Sequence, residues 1–123
     1  QCLEVADGAF SLCSMLQTAI LNQTKTVGMN AFRNCSRLTR VELPACETVA
    51  QGAFEYCSML LKSSLHHVKT VGQYAFSSCN RITSIELPEC KEVAQGAFSY
   101  CSMLESLVLT KTKSVGANAF CNC

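Results

Sequence analysis

ITSIELPECKEVAQGAFSYCSML, residues 82–104, carries two different local signals in one short run. ITSIELP (82–88) alternates apolar and polar residues and stops at Pro88, the pattern of a short strand with one buried face. AFSYC (97–101) spaces its apolar residues one and three apart, which suits one turn of α- or 3₁₀-helix. A brief extended piece is expected between them, around Val93.

The run recurs along the whole chain. Phe10, Phe32, Phe54, Phe76, Phe98 and Phe120 stand 22 residues apart and are the only phenylalanines. A strict short period marks a solenoid, in which each repeat buries its apolar residues only by stacking on its neighbours. Repeats start at Val5, Val27, Val49, Val71 and Val93, with a shortened one at Val115, and none carries an insertion. A 44-residue period is laid over the first: Gly8, Gly52 and Gly96 alternate with Gly28, Gly72 and Gly116 in a different column. All six glycines fall in those two columns, so none is left for a phosphate-cradling loop.

Val49, Ala53, Phe54 and Cys57 represent columns that are identical in every repeat. Two further columns hold Leu16, Leu38, Leu60, Ile82 and Leu104, then Leu21, Leu43, Leu65, Leu87 and Leu109. These are the positions a stacked core needs. The parallel strands of such a stack lie roughly 4.8 Å apart.

The pattern V-G-x-x-A-F-x-x-C-x-x-L-x-x-I-x-L-P resembles the BspA-like, or treponemal-type, leucine-rich repeat, and the likeness covers essentially the whole chain. The resemblance implies an α/β architecture. It would be a right-handed leucine-rich-repeat solenoid of 22-residue rungs, with a parallel β-sheet on the concave face and short helical turns opposite. It also implies a non-catalytic adhesion or protein-binding module of a surface or secreted protein, hence an extracellular or cell-surface location. Expected partners are host, matrix or microbial surface proteins. The family brings no shared catalytic residues. The odd repeats depart from its strand pattern, since LQTAILN, LLKSSLH and LESLVLT lack Glu-Leu-Pro, and Ser63 falls in an otherwise apolar column.

Composition narrows the classes further. At 123 residues, 49% hydrophobic and 15% charged, residues 1–123 are expected to form one compact solenoid domain of about 5.5 repeats. A formal charge of +1 gives no electrostatic reason to expect nucleic acid or an anionic membrane. No stretch reaches the length of a membrane span, so membrane insertion is not expected. Neither end shows a polar capping repeat, which a solenoid needs to cover its core and strand edge. The expectation is therefore end-to-end self-association or a longer parent protein.

Ten cysteines invite a metal or disulfide reading. Cys13, Cys35, Cys57, Cys79, Cys101 and Cys123 form a 22-residue column; Cys2, Cys46 and Cys90 form a 44-residue one alternating with Thr24, Val68 and Thr112; Cys121 stands alone. One reading makes them buried thiols used as small apolar fillers, and the Val and Thr substitutions favour it. The other cross-links adjacent rungs, which lie within disulfide range but present side chains that point the same way. No pair of Cys-x₂₋₄-Cys segments marks zinc, and no cofactor is expected.

His66 and His67, adjacent on a strand, point to opposite faces and cannot ligate one metal together. A nucleophile set would need His66 to meet Ser64 or Ser84 and Glu86, but repeat phase alone places those residues together, and catalysis is not expected. Asn22 and Asn34 begin glycosylation tripeptides, which matter only in a secreted eukaryotic protein. Tyr56 and Tyr100 share a column on the turn side and leave a weak case for glycan recognition.

The better candidate is a surface. Outward strand residues should be Thr18, Arg40, Lys62, Ser84 and Ser106 in one row, then Ile20, Glu42, Ser64, Glu86 and Val108 in the next. Asn22, His66 and Thr110 extend a third. These rows vary freely where the core columns do not, and solenoids use such extended concave faces to bind proteins. Ile20 and Val108 stand out because exposed apolar groups there have no structural purpose. The alternative is a structural spacer or self-assembling segment, in which the ends matter and the concave face does not.

Overall fold

The computed structural model of the chain describes residues 3–123. Each 22-residue rung contributes two strands. In chain order they are β1 (Glu4–Val5), β2 (Thr18–Ile20), β3 (Thr26–Val27), β4 (Arg40–Glu42), β5 (Thr48–Val49) and β6 (Lys62–Ser63). The remainder are β7 (Thr70–Val71), β8 (Ser84–Glu86), β9 (Glu92–Val93), β10 (Ser106–Val108) and β11 (Ser114–Val115). The odd-numbered, two-residue strands form one six-stranded parallel sheet in the order β1-β3-β5-β7-β9-β11. Its register is fixed by the period, since Val27 pairs with Val49 and Val49 with Val71. The even-numbered strands line a second face, the one that the sequence reading makes concave. A parallel β-solenoid with a leucine-rich-repeat rung is thus present.

The core runs along the axis as stacked columns. Phe32, Phe54, Phe76 and Phe98 are at most 1% exposed. Each ring stacks on the next, with centroids 5.1 to 5.4 Å apart and planes within 13°. Burying such a side chain is worth about 1.5–3 kcal/mol, so a ladder of them contributes heavily to the stability of the stack. Leu38, Leu43, Leu60, Leu65, Ile82 and Leu87 close the other side of the core.

The expected helical turns are absent: the described residues contain no helix. Ala-Phe-x-x-Cys is instead a run of overlapping β-turns. In the second repeat Ala31, Arg33 and Cys35 donate N–H bonds to Gly28, Asn30 and Phe32, three residues back. The intervening N–H groups of Asn30, Phe32 and Asn34 donate to Gln51, Ala53 and Glu55 of the next rung at 2.7–2.9 Å. Helix needs successive right-handed residues, and each repeat breaks that succession twice. Positive φ occurs at Leu12, Asn30, Asn34, Tyr56, Tyr74, Ser78, Tyr100, Asn118 and Asn122, and at Gly8, Gly52 and Gly96. The left-handed residues turn alternate N–H groups toward the neighbouring rung, so this side of the solenoid is itself a hydrogen-bonded ladder.

The same geometry explains the 44-residue period. Gly52 (φ 64°) fills the left-handed column of an odd repeat, and a Cβ there would lie 2.2 Å from Oδ1 of Asn30, the side chain of the preceding rung. Gly72 does not have positive φ; its Cβ would lie 2.6 Å from the backbone nitrogen of Gln51. Large and absent side chains therefore alternate from rung to rung, and the true unit is a pair.

Candidate functional site

The long-strand face is built from the strands that alternate inward and outward residues. Val41 and Ile85 point inward and are 1% and 2% exposed, whereas Arg40, Ser84 and Glu86 are exposed. Register aligns Thr18 with Arg40 and Lys62, Ile20 with Glu42, Ser84 with Ser106, and Glu86 with Val108. Ile20, Lys62, His66, Ser106, Val108 and Thr110 are exposed, and Glu42 and Ser64 are half-buried. Thr110 donates its hydroxyl to the carbonyl of Pro88.

The rows do not run unbroken. The face is divided into a three-stranded sheet β2-β4-β6 and a two-stranded sheet β8-β10. Elsewhere the strand entry is stitched: Thr39 N–H reaches Gln17 O at 2.9 Å, Leu61 N–H reaches Thr39 O at 3.0 Å and Glu105 N–H reaches Thr83 O at 2.8 Å. Among the described residues the equivalent Thr83-to-Leu61 bond is missing. The break sits at Ser63, which occupies the inward column held by Val41 and Ile85 in the flanking rungs. Its Oγ is shielded from solvent and has no hydrogen-bond partner. The serine puts a polar atom into an otherwise apolar column, and β6 is only two residues long.

Two hollows open beside the break. One, of about 330 Å³, is lined by Leu61, Lys62, Ser63, Ser64, Leu65, His66, Ser84 and Glu86. The other, of about 240 Å³, is lined by Arg40, Val41, Glu42, Lys62 and Ser64. Lys62 and Ser64 belong to both. Glu42 is ion-paired to Arg40, and a carboxylate oxygen of Glu86 lies 3.3 Å from Nε2 of His66. His67 pairs with a different acid, Glu89, at 3.6 Å. His66 shares a hollow with Ser64 and Ser84, but neither serine is hydrogen-bonded to it among the described residues.

Beyond this face the structure adds pairs that no single repeat reveals, because their partners lie a full rung apart. Arg33 meets Glu55 at 2.8 Å and lies 5.4 Å over the ring of Tyr56. Glu47 is held between Lys25 at 3.7 Å and Lys69 at 2.8 Å, which lowers its pKa. Ser77 and Ser99 share a buried hydrogen bond of 2.9 Å. The 22-residue spacing itself carries the signal: like-numbered positions of adjacent repeats hold opposite charges or matched hydroxyls.

The nine described cysteines are free thiols; Cys2 lies outside the described residues. Cys35, Cys57, Cys79, Cys101 and Cys123 donate S–H to the carbonyl of the phenylalanine one rung down, at 3.1–3.2 Å. Burial pushes the Cys57 and Cys101 thiols up to about 12 and Cys46 to about 11, the mark of inert packing groups. No cluster of three or more His, Cys, Asp or Glu suited to a metal ion occurs among the described residues. No helix among them is long and apolar enough to cross a membrane.

A family model described as BspA type leucine rich repeat region matches residues 3–123 in six copies. A leucine-rich repeat protein from Bacteroides ovatus superposes on 98% of this chain with a TM-score of 0.90 at 23% identity, and the chain covers 33% of it. A leucine rich repeat protein from T. pallidum is 27% identical with a TM-score of 0.75, over 93% of this chain and 65% of that one. A leucine rich cell surface protein from Faecalibacterium prausnitzii is 25% identical with a TM-score of 0.78, over 98% and 40%. The chain thus spans a third to two thirds of the length of these proteins. Among curated proteins none matches.

Proposed function

The chain belongs to the BspA-type leucine-rich repeat family, and from that premise we propose that it is a non-catalytic protein-binding or adhesion module of a surface or secreted protein. Leucine-rich repeat proteins are typically protein-interaction modules, and the relative from F. prausnitzii is described as a cell surface protein. Partners bind across the long-strand face. One observation carries this reading: the outward rows of that face mix charge, hydroxyl and exposed apolar groups, while the inward columns beside them are almost uniformly aliphatic. A row with no packing duty that varies from rung to rung is free to encode a partner. Exposed Ile20 (54%) and Val108 (38%) supply the apolar part of such a contact.

The experiment is a triple charge reversal, Arg40→Glu, Lys62→Glu and Glu86→Lys, measured against a panel of immobilised extracellular-matrix and mucosal proteins. The wild type binds at least one of them and the triple variant does not, with unchanged circular dichroism. Equal binding by both proteins contradicts the reading. Self-association is the second reading, favoured by two apolar columns of the turn side that stay exposed in the odd repeats, Leu12 with Tyr56 and Tyr100 and Met15 with Met59 and Met103. Growth in size with concentration in light scattering, indifferent to the triple reversal, is its signature.

A further inference from the structure

We infer that the notch between β6 and β8 receives a carboxylate side chain from an extended peptide. This inference deepens the proposed function and depends on it. Ser63 keeps a buried hydroxyl without a partner in a column where Val41 and Ile85 show that an aliphatic residue fits. An unsatisfied buried polar group destabilises, and local costs of this kind, kept when a cheaper residue is available, concentrate at functional sites. Its structural effect is to hold two strands apart. The N–H groups of Leu65 and Thr83, which regular pairing would use, make no backbone hydrogen bond among the described residues.

The charge at the opening selects the occupant. Of the two acids nearby, Glu42 is ion-paired to Arg40, and Glu86 lies 3.3 Å from Nε2 of His66. Lys62 forms no ion pair among the described residues, and it lines both hollows. Beside it stand the hydroxyls of Ser64 and Ser84. A free ammonium flanked by O–H and N–H donors is what a carboxylate requires, because charge-assisted hydrogen bonds are the strong ones. A cationic side chain would instead meet the ammonium of Lys62. Ser63 acts as a positioning residue: its side chain faces the core and keeps the notch open.

The test uses fluorescence anisotropy with two labelled peptides, one alternating Ser and Asp and one alternating Ser and Lys. The Asp peptide binds the wild type and the Lys peptide does not. Lys62→Met removes the cation on an exposed side chain and weakens the Asp peptide about tenfold. Ser63→Val fills the apolar column, closes the notch and weakens it to a similar degree, while its denaturation midpoint rises. Loss of affinity with a gain of stability is an outcome that misfolding cannot give. Equal binding of the two peptides, or full affinity in Ser63→Val, overturns the proposal. If a protein partner is lost by the triple charge reversal yet kept by Ser63→Val, the notch is refuted and the face reading stands.

Discussion

The turn side and the long-strand side of this solenoid are made by the same 22-residue period, yet they tolerate departures from it very differently. On the turn side every N–H that leaves the rung finds its carbonyl: Phe10, Phe32, Phe54, Phe76 and Phe98 each donate to the alanine one rung on at 2.7 Å. On the long-strand side one serine interrupts the sheet. The difference lies in redundancy. The turn side combines a ring stack, three inter-rung hydrogen bonds per repeat and a thiol bond to the phenylalanine carbonyl. The long-strand side depends on a few residues per rung and one inward side chain. A solenoid can therefore vary, and even break, one face while the other keeps the stack in register.

That contrast can be broken most forcefully at its strong side. Phe54→Ala removes a ring that is 0% exposed from the middle of the ladder and should cost about 3–5 kcal/mol in urea denaturation. A cost near that of a surface change would deny the turn side its leading role. Gly72→Ala forces a Cβ to within 2.6 Å of the Gln51 nitrogen and should cost about 1–3 kcal/mol by the same measurement. On the weak side the sign reverses: Ser63→Val should stabilise by about 1 kcal/mol, by replacing an unpartnered hydroxyl with methyl groups. A destabilised Ser63→Val would mean that the break is not caused by the missing apolar side chain.

At neutral pH the smallest effect belongs to the thiol column, whose pH dependence shows only in alkali. In the unfolded chain these thiols ionise near pH 9, but burial holds Cys57 and Cys101 protonated up to about 12. Folding thus raises their pKa, so their contribution is complete below pH 9 and is lost as pH rises toward 12. Stability should fall across that window, and mass-spectrometric labelling at pH 8 should modify Cys121 long before Cys57, Cys79 or Cys101.

Much of this was legible in the sequence, and the rest was hidden for definite physical reasons. The phenylalanine spacing gives the solenoid directly, and the alternation in LTRVELP and ITSIELP gives β4 and β8. Ala-Phe-x-x-Cys misleads because a helical turn and a run of β-turns place the same side chains inward. The discriminating signal was the column Gly8, Asn30, Gly52, Tyr74, Gly96, Asn118. Glycine and asparagine together mark left-handed backbone, which a helix cannot hold at every repeat. Ser63 was visible as the wrong residue in its column. That it divides the sheet, and leaves Lys62 as the free charge beside the gap, required the partners across the rungs.

Residue-resolved amide hydrogen exchange tests the central contrast most directly. The account predicts that the amides of Phe32, Phe54 and Phe76 exchange only through opening of the whole stack, while Thr83 and Leu65, beside the break, exchange orders of magnitude faster in the native state. Equal protection of the two sets would show that the long-strand face is continuous, and the notch would go with it.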